Sequence, residues 1–266
     1  MEVKCIKSDI QGATELSIHV NTDEEKVRIF PFCDLHIGAP QGECEYQKLK
    51  ASINYVVKNP NHYIFLLGDM TDCAQKMPWK NRGPNVYMES MNPTMQIKKL
   101  RELLREAVKK DKVLLMTSGN HEDWNMELTG IDIIKIFAED VLNVPYASPN
   151  GCLVELNVNK TQKYLIYLAH SPGGSPKTPA GAATKMVQFA QNVYADAYMC
   201  GHTHRKMTDE FARNVRRKEL KSRWGYGGNW LKWWGSYAQK FGLMPCPAGV
   251  TRFEFFADKH DVHVEI

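Results

Sequence analysis

The chain has 266 residues, of which 43% are hydrophobic and 24% charged, and its formal net charge is +4. That length and composition predict a globular protein folded as one domain over 1–266, and no apolar run reaches membrane-spanning length. Seven scattered cysteines without a CxxC pair argue against a disulfide framework or a zinc knuckle. Charged residues interrupt the N-terminal segment where a signal peptide needs an apolar stretch, so we expect a cytoplasmic protein with no membrane partner.

Short apolar runs alternate with segments of helical periodicity, which is typical of an α/β protein. Helices are predicted over 46–57 and over 92–108, where Asn92 and Pro93 form a cap and a first helical residue. Pro31 lies within one apolar run, and because proline donates no ladder hydrogen bond it predicts an edge position or a bulge. The predicted strands, in chain order, cover 3–6, 15–20, 27–33, 63–67, 113–116, 164–169, 197–200, 250–256 and 262–266.

Acids, amides and histidines follow five of these runs directly. Because ligands of open α/β sheets bind outside the carboxyl ends of strands, we expect these polar side chains to meet at one edge. The alternative is that they only cap neighbouring elements and form hydrogen bonds. The residues are Asp34 and His36; Asp69 and Asp72; Asn120, His121 and Glu122; His170; and His202 and His204.

The residue types of this set indicate a metal site. Carboxylate, amide and imidazole groups supply oxygen and nitrogen ligands that suit manganese, iron or zinc, and the lack of thiolates argues against a structural zinc. In Asp34-Leu35-His36 the two polar side chains share one side of an extended chain, and 202–204 repeats this arrangement. Glycines at 68, 119 and 201 precede three of the clusters and predict tight turns.

The order of these motifs resembles the signature of the calcineurin-like metallophosphoesterase superfamily, and its small bacterial and phage members in particular. The motifs are DLH (34–36), GDMTD (68–72), GNHE (119–122), His170 and GHTH (201–204). The resemblance implies a four-layer α/β/β/α sandwich with two mixed β-sheets and two divalent metal ions. One metal would be held by Asp34, His36, Asp69 and His204, and the other by Asp69, Asn120, His170 and His202. Manganese is expected first, with iron, zinc, nickel or magnesium as alternatives.

The same resemblance implies an activity, the hydrolysis of phosphate esters by a hydroxide that bridges the two metals. His121 resembles the family's catalytic histidine and would protonate the leaving oxygen. Asp72 would orient the imidazole of His121, and Glu122 could tune that imidazole or support a metal ligand from behind.

Three segments outside the motifs, 73–93, 171–185 and 205–237, are expected to shape the pocket. In the second, Lys177 or Lys185 could meet phosphate. The third interleaves basic and aromatic residues, as single-stranded nucleic-acid grooves do. The alternative for this segment is a β-hairpin with a solvated basic face, followed by an aromatic patch that closes a sheet or contacts another subunit.

Substrate expectations follow from these features and from one departure. Protein phosphatases of the superfamily continue the GDxxD motif with an arginine where this chain has Cys73, so protein phosphatase activity is disfavoured. We expect a phosphodiesterase acting on nucleotides or nucleic acid, with a nuclease as its most specific form. The alternatives are a phosphomonoesterase on a small molecule or phosphoprotein, and a metal-stabilised interaction protein without turnover. A homo-oligomer is left open.

Overall fold

The computed structural model describes residues 2–6, 14–39, 43–73, 92–148, 150–174, 176–215 and 218–266. Most of the predicted pocket segment 73–93 therefore lies outside the described residues. The strands are β1 Glu2–Ile6, β2 Thr14–Val20, β3 Lys26–Phe32, β4 His62–Leu67, β5 Val113–Thr117, β6 Tyr146–Ala147, β7 Cys152–Val158, β8 Gln162–Ala169, β9 Ala197–Cys200, β10 Met207–Val215, β11 Lys218–Tyr226, β12 Gly228–Asn229, β13 Gly249–Val250, β14 Arg252–Phe256 and β15 Val262–Glu265.

The helices are α1 Tyr46–Lys58, α2 Pro93–Lys109, α3 Asn120–Thr129, α4 Ile133–Ile136, α5 Pro179–Asn192 and α6 Tyr237–Lys240, with a π-helical turn Phe137–Leu142 after α4. The predicted start of α2 is confirmed, because the Asn92 side chain accepts from the backbone N–H of Met95 at 3.0 Å and Pro93 is the first helical residue. No helix among the described residues is long and apolar enough to cross a membrane.

Two large sheets organise the chain. A seven-stranded sheet has the order β1-β2-β7-β8-β9-β11-β10, and a six-stranded sheet has the order β15-β14-β3-β4-β5-β6. Both are mixed, since β3, β4, β5 and β6 run parallel while β14 is antiparallel to β3, and β8 is parallel to β9 but antiparallel to β7.

Alternation of apolar residues along the strands builds two faces on each sheet. Ile29 on β3 and Phe65 on β4 point to the interior between the sheets, where they pack in one cluster with Ile166 and Met199 of the other sheet. Their neighbours Phe30, Phe32, Ile64 and Leu66 pack outward against α1 and α2. The helix α5 covers the outer face of the seven-stranded sheet. The predicted four-layer α/β/β/α sandwich is confirmed.

The strand β3 lies between β14 and β4, so Pro31 does not mark an edge strand, although one flank of the residue is unpaired. Pro31 is paired on one side with Phe65 of β4. On the other side the β14 ladder ends at the pair between Phe253 and Ile29, and the N–H of Thr251 binds Gly227 instead. The missing proline donor therefore falls where one flank of an interior strand has lost its partner.

Part of the segment 205–237 folds as the alternative interpretation expects. The strands β10 and β11 pair as an antiparallel hairpin that extends the seven-stranded sheet at its edge. Trp224, Tyr226 and Trp230 are fully buried, whereas Trp234 is 78% exposed. In the segment 171–185, α5 begins after Thr178, whose side chain accepts from the N–H of Gly181 at 3.1 Å. Six cysteines are free thiols: Cys33, Cys44, Cys73, Cys152, Cys200 and Cys246.

Candidate metal centre

All the polar clusters follow strands whose carboxyl ends meet at one edge of the two sheets. The parallel strands β3, β4 and β5 lead into the first three motifs, and β8 and β9 lead into the last two. Their side chains are buried or nearly so. The residues at this edge are Asp34, His36, Asp69, Asp72, Asn120, His121, His170, His202 and His204.

Five of these residues adopt left-handed backbone conformations, which are uncommon outside glycine. Such a conformation costs roughly 1–3 kcal/mol for each residue and clusters at functional sites, where the surrounding structure enforces it. The chain therefore bends sharply after β3, β4 and β9 to direct short side chains into a common pocket. The positive φ angles are 54° at Asp34, 45° at His36, 52° at Asp69, 70° at His202 and 52° at His204.

The glycines before the motifs serve two different purposes. Gly68 has a φ of +78°, and a Cβ there would lie 2.6 Å from the carbonyl oxygen of Ser118, so this turn requires glycine. Gly119 has a φ of −126°, yet a Cβ on it would lie 2.9 Å from the Cγ atom of Asp69. The predicted tight turn holds for Gly68, while Gly119 is needed because the Asp69 side chain approaches the backbone closely.

Asp69 is the centre of the arrangement. Its Oδ2 atom lies 3.4 Å from Nε2 of His170 and 4.0 Å from Nε2 of both His36 and His121. Its other oxygen, Oδ1, accepts the backbone N–H of His121 at 2.9 Å. One carboxylate oxygen is thus fixed by the backbone, which leaves the other facing three imidazoles.

Three groups of side chains place their ligand atoms within 4.8 Å of one another. These groups overlap, since His36 and Asp69 each belong to two of them. In the first group, Oδ1 of Asp34 lies 3.9 Å from Nε2 of His204. The groups are Asp34 with His36 and His204, His36 with Asp69 and His121, and Asp69 with His170 and His202.

The imidazole ring of His170 is held in one orientation. Its Nδ1 atom lies 2.8 Å from the carbonyl oxygen of Leu67, and because a carbonyl can only accept, Nδ1 donates. Nε2 is then directed at the pocket, 3.2 Å from Oδ1 of Asn120. In metal sites a histidine commonly donates one ring N–H to a carbonyl oxygen and binds the metal through the other ring nitrogen.

His121 is oriented by Asp72, but chiefly through the backbone. Nδ1 of His121 donates to the main-chain carbonyl oxygen of Asp72 at 2.7 Å. The Asp72 carboxylate is farther away, with Oδ1 at 3.5 Å from Nδ1 of His121 and at 3.5 Å from Nδ1 of His36. Asp72 therefore contacts His121 mainly through its main chain, and its carboxylate lies between two imidazoles.

The carboxylates of the pocket favour positive charge on two of the neighbouring imidazoles. Burial disfavours the imidazolium at His36 and His170, yet the neighbouring carboxylates outweigh it and raise the pKa of His36 to about 9 and of His170 to about 10. Burial also opposes ionisation of Asp69, but His170, His121 and His36 keep its pKa well below the usual value. At His204 burial prevails and lowers the pKa to about 4, so its imidazole stays neutral.

These residues fit a divalent metal. Nε2 of His36 is buried and has no hydrogen-bond partner among the described residues, although buried polar atoms are nearly always satisfied. A divalent metal would displace the proton held there in the metal-free protein and bind the nitrogen lone pair. The donor set of carboxylates and imidazoles, with Asn120 beside them, is one that manganese, iron and zinc accept.

Four further residues at this edge were missed or only partly read from the sequence. Glu122 binds backbone N–H groups of two motifs and does not contact the His121 ring. Gln96, on α2, accepts the N–H of Cys73 at 3.0 Å.

Two further side chains lie beside the motif residues. The ring centroid of Trp124 lies 4.2 Å from that of His121. Arg205 is buried, and its Nη2 atom donates to the carbonyl oxygen of Lys177. Glu122 was visible in the sequence as part of the GNHE motif, and the helical spacing of His121 and Trp124 was a signal for the indole.

A layered α/β scaffold with clustered carboxylates and imidazoles at its strand ends defines the class of candidate metal-binding α/β proteins. Residues 27–206 match the family model of the calcineurin-like phosphoesterases, which is most of the chain, so the protein belongs to this family. Membership makes it a phosphoesterase in general, with a phosphate ester as its substrate and divalent metals as its cofactors.

Solved structures with similar folds have low sequence identity to this chain. Vacuolar protein sorting 29 from Cryptosporidium parvum is 14% identical with a TM-score of 0.44, and the match covers 91% of this chain and 98% of the other. Vps29 from Entamoeba histolytica complexed with zinc is 13% identical with a TM-score of 0.41, covering 90% and 97%. A predicted phosphoesterase from Streptococcus pneumoniae is 14% identical with a TM-score of 0.37, covering 90% and 88%. No curated protein matches the sequence.

Proposed function

We propose that the protein is a binuclear metal-dependent phosphoesterase that prefers phosphodiesters. The observation that carries this proposal is the position of Asp69, whose Oδ2 atom lies 3.4 Å from Nε2 of His170 and 4.0 Å from Nε2 of His36. His36 belongs to the group around Asp34, and His170 belongs to the group with His202. A carboxylate between two ligand groups is what a pair of metals sharing one bridge requires.

Each metal would have a separate set of ligands besides the shared Asp69. When bound, two divalent ions would polarise the phosphoryl oxygens and lower the pKa of a water. Asp34, His36 and His204 would hold one ion, and Asn120, His170 and His202 would hold the other. The protein orients these side chains in advance through the left-handed turns and through the hydrogen bond from His170 to Leu67.

His121 would supply the proton for the leaving oxygen. Since Nδ1 is committed to the carbonyl of Asp72, the proton of an imidazolium that can be transferred sits on Nε2. Burial lowers the pKa of His121, which makes the imidazolium a stronger acid. Asp69, 4.0 Å from Nε2, favours the charged form before transfer.

The charges around the pocket favour a diester over a monoester. A phosphomonoester is a dianion at neutral pH, and the protein phosphatases that this chain resembles add an arginine where it has Cys73. Among the described residues, the carboxylates of Asp34, Asp69 and Asp72 form ion pairs with imidazoles and with no lysine or arginine. A phosphodiester is a monoanion and needs less compensating positive charge than a monoester, which suits a pocket without such a cation.

The neighbourhood of His121 supports a nucleotide as part of the substrate. The rings of His204, His36, His121 and Trp124 form a row, with centroid distances of 5.0, 4.5 and 4.2 Å. The row ends in a partly exposed indole beside the proposed acid. A leaving group protonated by His121 would lie next to that ring, and an aromatic ring is the surface on which nucleobases stack.

The deciding experiment compares two chromogenic substrates on protein stripped of metal and reloaded with Mn²⁺. We expect turnover of bis(p-nitrophenyl) phosphate with a kcat/KM at least about tenfold above that of p-nitrophenyl phosphate, and no turnover by the stripped protein. A preference for the monoester would instead support a phosphomonoesterase. Binding of Mn²⁺ without turnover of either substrate would support a metal-stabilised interaction protein.

A further inference from the structure

Glu122 is a buried carboxylate with an unusual set of partners. It is 2% exposed, and among the described residues it has no lysine or arginine as an ion-pair partner. Its two oxygens instead accept four hydrogen bonds from neutral donors. Oε2 accepts from the N–H groups of Asp69 and Gly119, both at 2.9 Å, and Oε1 accepts from the N–H of Thr71 at 2.8 Å and its hydroxyl at 3.1 Å.

These donors belong to two of the motifs, GDMTD and GNHE, which are about fifty positions apart in the chain. The connection runs in both directions. The side chain of Glu122, in the first turn of α3, binds the backbone N–H of Asp69, while the side chain of Asp69 binds the backbone N–H of His121 in the same turn. This reciprocal pair of contacts fixes both the backbone and one carboxylate oxygen of Asp69.

We infer that Glu122 is a positioning residue that sets the geometry of the bridging ligand Asp69, an inference that rests on the proposed binuclear function. Asp69 has a left-handed φ of 52°, and its only oxygen facing the imidazoles is Oδ2. If the N–H of Asp69 lost its acceptor, the backbone would relax toward an ordinary conformation and Oδ2 would leave the place between His36 and His170. Both metal sites would then weaken together.

The number of donors makes Glu122→Gln a sharp test. Every partner of the carboxylate donates, so the ionised form with two acceptor oxygens satisfies all of them. An amide has one acceptor oxygen and one NH₂ group. Whichever way the amide is placed, its NH₂ group faces the backbone N–H of Thr71 or those of Asp69 and Gly119. The substitution keeps the size and shape of the side chain and removes one of its two hydrogen-bond-accepting oxygens.

The experiment measures Mn²⁺ binding to metal-stripped protein by calorimetry, with thermal unfolding of the same metal-free samples. We expect Glu122→Gln to weaken Mn²⁺ binding by about 10- to 100-fold at both sites, the range for residues that support metal ligands from behind. The matched control is Glu254→Gln. Glu254 is equally buried at 2% exposure, but it pairs with Lys26 and Arg28 near the start of β3, away from Asp34.

A general loss of stability would affect the two variants alike, so the inference requires that Glu254→Gln keep the Mn²⁺ affinity of the wild type while lowering the melting temperature. Unchanged Mn²⁺ affinity in Glu122→Gln would overturn the inference. Absence of Mn²⁺ binding by the wild type would instead overturn the proposed function itself, so the two failures are distinct.

A second pair of variants covers the case in which Glu122→Gln does not fold. Thr71→Val removes the hydroxyl that donates to Glu122 at 3.1 Å, and Thr71→Ser keeps it. We expect a several-fold loss of Mn²⁺ affinity for the valine variant and recovery in the serine variant. Equal affinity in both variants would count against Glu122 as a positioning residue.

Discussion

Nδ1 of His121 lies 2.7 Å from the main-chain carbonyl oxygen of Asp72, and 3.5 Å from its carboxylate. The closer partner of the imidazole is thus an atom that no side-chain substitution removes. The Asp72 carboxylate is equally close to His36, one of the proposed metal ligands. His121 and Asp72 should therefore differ in what their loss does.

The first prediction concerns this pair. His121→Ala should keep its affinity for Mn²⁺ and lose about 10² to 10⁴ in kcat, the usual contribution of a general acid. Asp72→Ala should lose less in kcat, about 10- to 100-fold, because the carbonyl still orients the ring, and it should weaken Mn²⁺ binding through His36. Calorimetry and steady-state rates on both variants check this. Loss of metal in His121→Ala would show that its imidazole is a ligand.

The second prediction concerns the bridge. In Asp69→Asn the amide oxygen can keep the hydrogen bond from the N–H of His121, which places the NH₂ group toward the imidazoles at the position of Oδ2. The substitution therefore removes the shared lone pair and leaves the fold in place. We expect both Mn²⁺ sites to weaken together, by at least about 100-fold, in calorimetric titrations. Loss of one site with the other intact would contradict the bridging role.

The motifs could be predicted because each is a short local stretch and because carboxylate, amide and imidazole side chains by themselves indicate metal ligands. Strand ends, the cap at Asn92 and the cluster around Asp69 follow from short stretches of sequence. The sequence suggested that Glu122 supports a metal ligand from behind, but its particular contacts could not be predicted, because most of its partners are backbone N–H groups, which every residue except proline carries. At Pro31 the sequence could not show which flank lacks a partner, because that depends on where the ladder with the distant strand β14 ends.

The third prediction concerns Trp124. Replacement by leucine should lower kcat/KM about tenfold on a dinucleotide, whose leaving nucleoside can stack, and leave kcat/KM nearly unchanged on the methyl ester of the same nucleotide. Product chromatography measures both. Trp234→Leu is the control, because that side chain is 78% exposed and its ring contact is with Trp233. If Trp124 instead acted through His121, both substrates would slow equally and the pH profile of kcat would shift.

The fourth prediction concerns His62, which is remote from the metal centre at the start of β4. The residue is 6% exposed, and neither ring nitrogen has a hydrogen-bond partner among the described residues. Its ring packs 5.3 Å from that of Phe30. Burial, followed by the charges of Arg28, Arg252 and Lys112, lowers the pKa of His62 to about 4. The folded protein therefore holds this imidazole neutral.

The sign of the effect on stability follows from comparing the two states. Between the folded pKa of about 4 and the unfolded value of about 6.5, the unfolded chain binds the proton and the folded chain does not. The free energy of unfolding should thus fall as the pH drops below about 6.5, by about 1–2 kcal/mol at pH 5 from this residue alone.

Phenylalanine has nearly the same shape as histidine and cannot be protonated, so His62→Phe should reduce that fall in the free energy of unfolding. Urea unfolding at pH 7.5 and pH 5 measures it: the gain in stability of His62→Phe over the wild type should be larger at pH 5. If the stability difference between His62→Phe and the wild type were the same at both pH values, the pKa of His62 would not be lowered in the folded protein, and the prediction would be wrong.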